Sequence, residues 1–105
     1  MDDNLITTTV NDNEATMFIT REVKENEAII LQLEFEKLKS NEKIDIFYID
    51  FCQQNRISSI AIGKILNIHN YLNQKNKKLI LKNMGKFLKN MFIEIQLDKI
   101  IQMDM

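Results

Sequence analysis

The sequence offers few side chains that could carry chemistry, and the clearest are two adjacent serines, Ser58 and Ser59. Both stand where an apolar repeat of helical spacing begins, which is the position of a helix N-cap. A hydroxyl there lies beside backbone N–H groups that lack partners, and the helix dipole stabilises a phosphate by roughly 0.3–1 kcal/mol. Each serine is therefore a candidate for a structural cap, worth about 1 kcal/mol.

The other reactive side chains do not combine into an active site. His69 lies ten residues after Ser59, which is about 15 Å along a continuous helix and too far for direct Ser–His catalysis. Cys52 is the only cysteine, and because it follows an apolar segment we interpret it as a small packing residue. The sequence has no glycine-rich phosphate loop and no carboxylate pair at a recognisable spacing. We therefore expect a protein that is not an enzyme and that binds neither a cofactor nor a metal.

The elements that position these residues are indicated by apolar spacing, which changes between the strand period and the helix period. Residues 6–10 and 17–19 alternate on either side of a polar turn at 11–13, which predicts a β-hairpin. The spacing of apolar residues over 28–38 predicts a first helix. Residues 44–51 are apolar on both alternating faces, which predicts a central strand covered on both sides.

The second half of the chain repeats this change of period. Helical spacing over 62–72 predicts a second helix, 79–81 a short strand, 88–95 a third helix and 100–103 a last strand. The order β-β-α-β-α-β-α-β predicts a single α/β domain over residues 1–105. Right-handed crossovers then give a mixed, mostly parallel sheet that opens with an antiparallel hairpin and has helices packed against it.

Composition and charge exclude several classes of protein. The net charge is −1 at pH 7, from 14 Lys and Arg against 15 Asp and Glu, which favours neither general nucleic-acid binding nor membrane binding. The longest apolar runs are four residues, whereas about 20 are needed to cross a bilayer, and the acidic start lacks the features of a secretory signal. We therefore expect a cytoplasmic protein without membrane insertion.

Lysine is concentrated late in the chain, around the predicted fourth strand and third helix. Such a cluster is one possible face for an anionic ligand or a nucleic acid, but a lysine run beside a strand is usually a solvated surface or an edge guard. Nucleic acid is therefore not the expected partner. The lysines concerned are Lys75, Lys77, Lys78, Lys82, Lys86 and Lys89.

The segment 50–63, DFCQQNRISSIAIG, resembles the signature of STAS domains. That family has Asp, Leu, Ser, four residues, then Ile, Asp, Ser, Ser or Thr, Gly, Leu, Gly, and the two patterns align without a gap. Residues 20–23 stand where the family has Thr, Gly, Glu, Leu, and residues 79–83 resemble its later strand ending in Asn. The resemblance covers nearly the whole chain and implies a STAS-like fold of the anti-sigma factor antagonist type, in agreement with the predicted element order.

In such antagonists the serine aligned with Ser59 is phosphorylated by a partner kinase that is also the anti-sigma factor, and a phosphatase reverses the reaction. The resemblance therefore implies Ser59 as the phosphorylated residue, rather than Ser58, which we interpret as the helix cap. This chain departs from the family pattern at three neighbouring positions: Ser58 replaces Asp, Ile60 replaces Ser or Thr, and Ala61 replaces Gly.

The expected contact surface is the loop before the second helix together with the exposed side of that helix. It comprises Arg56, Ile57, Ser58, Ser59, Ile60, Lys64 and Asn67. We expect it to bind an anti-sigma factor with serine-kinase activity and to be switched at Ser59. The alternative is a STAS subunit that is not phosphorylated and belongs to another complex, such as the ATPase of an ABC-type lipid transporter or a stress-signalling scaffold.

Overall fold

The computed structural model describes residues 4–104, and its element order is the one predicted from the sequence. Two strands open the chain, and three helices alternate with three further strands. In chain order the elements are β1 (Ile6–Asn11), β2 (Glu14–Ile19), α1 (Ala28–Lys39), β3 (Ile46–Asp50), α2 (Ser59–Gln74), β4 (Lys78–Lys82), α3 (Lys86–Glu94) and β5 (Gln102–Asp104), with single 3₁₀ turns at Glu25–Glu27 and Leu97–Lys99.

The five strands form one sheet in the order of the chain, β1-β2-β3-β4-β5. β1 is antiparallel to β2, and the pairs from β2 to β5 are parallel. Each crossover moves one strand further in the same direction, so right-handed connections place α1, α2 and α3 on the same face of the sheet. The predicted single α/β domain with a mixed, mostly parallel sheet is therefore confirmed, and the molecule is only 21 Å thick along its shortest axis.

The core lies between that face of the sheet and the three helices. Alternate strand residues, including Met17, Phe47 and Ile49, are fully buried there. Phe35 of α1 packs edge-to-face on Phe47, with ring centroids 5.4 Å apart. Phe51, which follows β3, makes a similar contact with Phe92 of α3 at 5.8 Å. Aromatic pairs of this geometry stabilise a core by roughly 0.5–1.5 kcal/mol beyond the area they bury.

The prediction that β3 is covered on both faces is wrong. Within residues 4–104 the helices cover one face, and Ile46 and Tyr48 on the other face are half-buried. Their neighbours supply the cover: the Nζ of Lys82 lies 4.4 Å from the centre of the Tyr48 ring. A lysine stem and its cation–π contact can shield an apolar strand residue that no helix covers.

The two edges of the sheet differ. β5 has three residues and ends at the charged Asp104, whereas β1 has six residues and contains no charged residue and no proline. β1 turns into β2 through a two-residue loop in which Asp12 adopts a left-handed backbone (φ 55°), as hairpin turns require. The predicted hairpin is confirmed, and β1 is left as the long edge.

Candidate protein-interaction site

Helix α2 begins at the two serines that the sequence singles out. Ser58 is the N-cap, because its backbone is extended (φ −73°, ψ 155°) and its Oγ accepts a hydrogen bond from the Ala61 N–H at 3.2 Å. This bond satisfies one of the donors that the start of a helix leaves without an intrahelical partner. The structural cap expected for Ser58 is therefore confirmed.

Ser59 is the first residue of α2, and its side chain is exposed. Among the hydrogen bonds of residues 4–104, none involves its hydroxyl. The first intrahelical bond runs from the Ile62 N–H to the Ser58 carbonyl, so the N–H groups of Ser59 and Ile60 remain available at the positive end of the helix dipole. A group attached to the Ser59 oxygen would meet solvent and these donors.

The other predicted contact residues surround this serine. Ile60, Lys64 and Asn67 recur at the spacing of one helical face, and 47% of the Ile60 surface is exposed. Asn67 is exposed and Lys64 half-buried, while Arg56 in the preceding loop is exposed. Ile57 is half-buried and packs on the core. The structure thus brings all the predicted contact residues to the start of α2 and its outer side.

The loop between β3 and α2 is held by a buried carboxylate. Asp50 is 7% exposed, and its Oδ1 accepts hydrogen bonds from the Cys52 N–H at 2.8 Å and from Asn83 Nδ2 at 2.9 Å. Cys52, Gln53 and Asn83 all adopt left-handed backbones, with φ of 51°, 66° and 57°, a conformation that costs roughly 1–2 kcal/mol for an ordinary residue. The hydrogen bonds from Cys52 and Asn83 to Asp50, and the bond from the Gln53 N–H to the Asn83 carbonyl at 2.8 Å, offset this cost and fix the exit of the chain from β3.

The same loop is tied to the start of α3. The Gly85 N–H donates to the Gln54 carbonyl at 2.9 Å, and the Phe87 N–H donates to Asn55 Oδ1 at 3.1 Å. Asn55 therefore caps α3 from 32 positions away in the chain. This role was not predicted from the sequence, although an asparagine in the loop is a signal of a cap and a glycine before an apolar repeat is a signal of a close approach.

Cys52 and His69 lie in surroundings that agree with structural roles. Burial, followed by the charge of the neighbouring Asp50 carboxylate, raises the pKa of the Cys52 thiol above its ordinary value, so the thiol stays protonated at neutral pH. His69 is half-buried on α2. Residues 4–104 contain no group of three or more His, Cys, Asp or Glu side chains able to hold a metal.

The lysines of the second half do not share one surface. Lys75 lies 5.7 Å from the Tyr71 ring where α2 ends, and Lys77 donates to the Glu42 carbonyl at 3.3 Å near the same end. Lys82 covers Tyr48 on the open sheet face, and Lys86 lies in the first turn of α3. Lys82 and Lys89 line one cavity together with Asp50 and Asp104, so acidic groups lie beside the lysines there.

The segment 51–58 between β3 and α2 is called the serine loop. A groove of about 460 Å³ adjoins it. Its walls are residues 22–25 after β2, residues 55–58 before α2, and Met91 of α3. The side chains of Val23 and Ile57 give it apolar surface, and charged groups come from Glu22, Lys24, Glu25 and Arg56. The predicted contact surface around Ser59 is therefore flanked by a groove whose lining is partly apolar and partly charged. Within the described part of the chain no helix is long and apolar enough to span a bilayer.

Comparisons with known proteins agree with this architecture. No protein-family model matches the sequence, and no curated protein matches it. Among solved structures, an anti-sigma factor antagonist from Mycobacterium paratuberculosis superposes with a TM-score of 0.80 at 13% identity, covering 93% of this chain and 82% of that one. Unphosphorylated SpoIIAA, also an anti-sigma factor antagonist, gives 0.78 at 12% identity, covering 95% and 88%. Phosphorylated SpoIIAA of Bacillus gives 0.71 at 12% identity, covering 95% and 91%.

Proposed function

Starting from the STAS-like fold that this chain shares with anti-sigma factor antagonists, we propose that it is a cytoplasmic regulatory module that binds a protein partner and catalyses nothing itself. The partner is an anti-sigma factor with serine-kinase activity, and phosphorylation of Ser59 releases it. The observation that carries the proposal is the position of Ser59: its hydroxyl is exposed at the N-terminus of α2 and surrounded by the contact surface.

Two serines compete for this role, and their hydrogen bonding favours Ser59. The Oγ of Ser58 is half-buried and accepts the Ala61 N–H, so a phosphate there would displace the cap and lose about 1 kcal/mol of helix stability. The hydroxyl of Ser59 caps nothing, and its esterification leaves the first turn of α2 intact.

The effect of phosphorylation follows from the difference between two energies. The helix dipole stabilises a phosphate on Ser59 by roughly 0.3–1 kcal/mol. The phosphate carries a charge of about −1.5 to −2 at pH 7. A partner that covers this surface without a cation to pair with it would bury that charge, which costs several kcal/mol. Since about 1.4 kcal/mol changes affinity tenfold, the contact penalty dominates, and the fold itself does not have to change.

The test is affinity capture from the native cytoplasm with the chain as bait, followed by mass spectrometry of the captured proteins and of the bait. We expect a kinase-like anti-sigma factor to be captured by the wild type and by Ser59→Ala, and capture to fall at least tenfold with Ser59→Asp. Asn90→Asp is the matched control for added charge, because Asn90 is exposed on α3 outside the predicted contact surface, and capture should not change. Equal capture by Ser59→Ala and Ser59→Asp, or phosphate found only on Ser58, would contradict the proposed switch.

One observation favours a second function. Ile60 occupies the place where the family has Ser or Thr, and 47% of its surface is exposed next to Ser59. An exposed isoleucine suits a permanent apolar contact, as in a STAS subunit of a transporter ATPase or a stress-signalling scaffold. Capture of a transporter ATPase, unchanged by Ser59→Asp and lost with Ile60→Asp, would support this function over the switch.

A further inference from the structure

Among residues 4–104 no strand pairs with the outer edge of β1, so the backbone groups on that side have no strand partner. The Thr20 N–H donates to the Leu5 carbonyl at 2.9 Å, and backbone groups on an antiparallel strand alternate in direction. Thr7 and Thr9 therefore hydrogen-bond to β2. The N–H and C=O groups of Thr8 point away from the sheet, and so do those of Ile6 and Val10.

β1 also lacks the features that keep strand edges from pairing. Natural sheets protect their edges with charged side chains, proline, bulges or very short strands. β5, the other edge, is three residues long and contains the charged Asp104. β1 has six residues, three of them consecutive threonines, and the apolar Val10 on its helix side is 49% exposed.

We propose that β1 is a dimerisation edge and that its occupant is β1 of a second copy of this chain, paired antiparallel. An antiparallel pair of identical strands is self-complementary, because a two-fold axis exchanges the two strands. With the axis at Thr8, the outward groups of Thr8 meet those of Thr8 in the second copy, and Val10 stands opposite Ile6. The two sheets become one sheet of ten strands.

The pairing is self-complementary in side chains as well as in backbone. Val10 and Ile6 lie on the helix side of β1, opposite Ala15 and Ile19 in the register with β2. Each Val10, which is 49% exposed in the monomer, would pack against the nearly buried Ile6 (7% exposed) of the other copy. The three threonines are uncharged, so their pairing would not bring like charges together. A six-residue strand pair buries less than the roughly 1,200 Å² of stable complexes, so the dimer is expected to be weak and to form only at high protein concentration.

The first test is sedimentation equilibrium of the full chain up to about 1 mM. We expect a reversible monomer–dimer equilibrium for the wild type and a monomer for Thr8→Pro, because proline removes the outward N–H but no bond to β2. Val10→Lys, which adds two charges at the seam, is expected to weaken the dimer at least tenfold. Ile95→Lys is the matched control, since Ile95 is similarly exposed (50%) but lies at the end of α3.

The second test locates the contact. Thr8→Cys in a Cys52→Ser background is expected to form an intermolecular disulfide, because paired strand residues have Cα atoms about 5.5 Å apart, within disulfide range. This variant and Val10→Lys decide the matter if Thr8→Pro does not fold. A monomer at about 1 mM, or a dimer that persists in Val10→Lys while the Thr8→Cys variant forms no disulfide, would overturn the proposal. Neither outcome bears on the Ser59 switch, which is tested on captured partners.

Discussion

The two glycines of the chain meet opposite surroundings, and replacing each by alanine should change stability in opposite directions. Gly63 lies inside α2, and a Cβ added there would have no heavy atom within 4 Å. Gly85 precedes α3, and a Cβ added there would lie 2.6 Å from the Gln53 carbonyl oxygen and still closer to the Asn55 side-chain oxygen. Real Cβ contacts are essentially never under 3.0 Å, so the serine loop would have to move.

The expected magnitudes follow from these distances. Alanine in an exposed helix interior is more stable than glycine by roughly 0.5–1 kcal/mol, so Gly63→Ala should raise the free energy of unfolding by that amount. Gly85→Ala should lower it by about 1–3 kcal/mol for overpacking. A further loss of about 1 kcal/mol follows if Asn55 can no longer accept the Phe87 N–H.

Urea unfolding followed by circular dichroism measures both variants under identical conditions. The midpoints should move in opposite directions with unchanged m-values, since neither substitution changes the area exposed on unfolding. The Gly85 variant should also show altered amide chemical shifts at residues 53–55. Equal midpoints for the two variants, or a Gly85→Ala protein as stable as the wild type with an unshifted loop, would refute the argument that this glycine is required by close approach.

Three further predictions concern the loop and the start of α1. Ser58→Ala should lose about 1 kcal/mol of stability because it removes the cap on Ala61, whereas Ser59→Ala should be nearly neutral, as checked by the same urea titration. Arg21 holds the pKa of Glu27 down to about 2 from 4.5, through hydrogen bonds and charge. The contribution of this ion pair to stability is full above pH 4.5 and is lost as the pH falls toward 2. Glu27→Gln should therefore reduce the loss of unfolding free energy between these two pH values. An unchanged loss would argue against the Arg21–Glu27 pair. Since its pKa is raised, Cys52 should react with iodoacetamide at about pH 8 more slowly than free cysteine, and a faster reaction would contradict the protonated thiol.

Local patterns in the sequence were sufficient to predict the order of the elements. The period of two in β1 and β2 and the apolar spacing of α1 and α2 depend on neighbours close in the chain, so they are visible in the sequence. The position of Ser58 as a cap is local for the same reason, because the cap and its donor are three residues apart.

Features that depend on distant residues were not predictable in this way. The apolar residues at 46 and 48 suggested cover on both faces, but the side chain that shields Tyr48 comes from Lys82 on the adjacent strand. The cap of α3 by Asn55 and the burial of Asp50 beside Asn83 likewise join residues about thirty positions apart. A single sequence gives no information on which such pairs meet in space.

All three helices lie on one face of the sheet, and Ser59 lies at the start of the second of them. In the proposed dimer the two-fold axis through the β1 edge would run perpendicular to the sheet, so both helical layers would face the same direction. The two Ser59 surfaces would then be presented side by side to a target with repeated binding sites. The second of two linked contacts forms at a millimolar effective concentration. The dimer would therefore bind such a target with a higher affinity than one subunit does, and phosphorylation of one Ser59 would remove this gain.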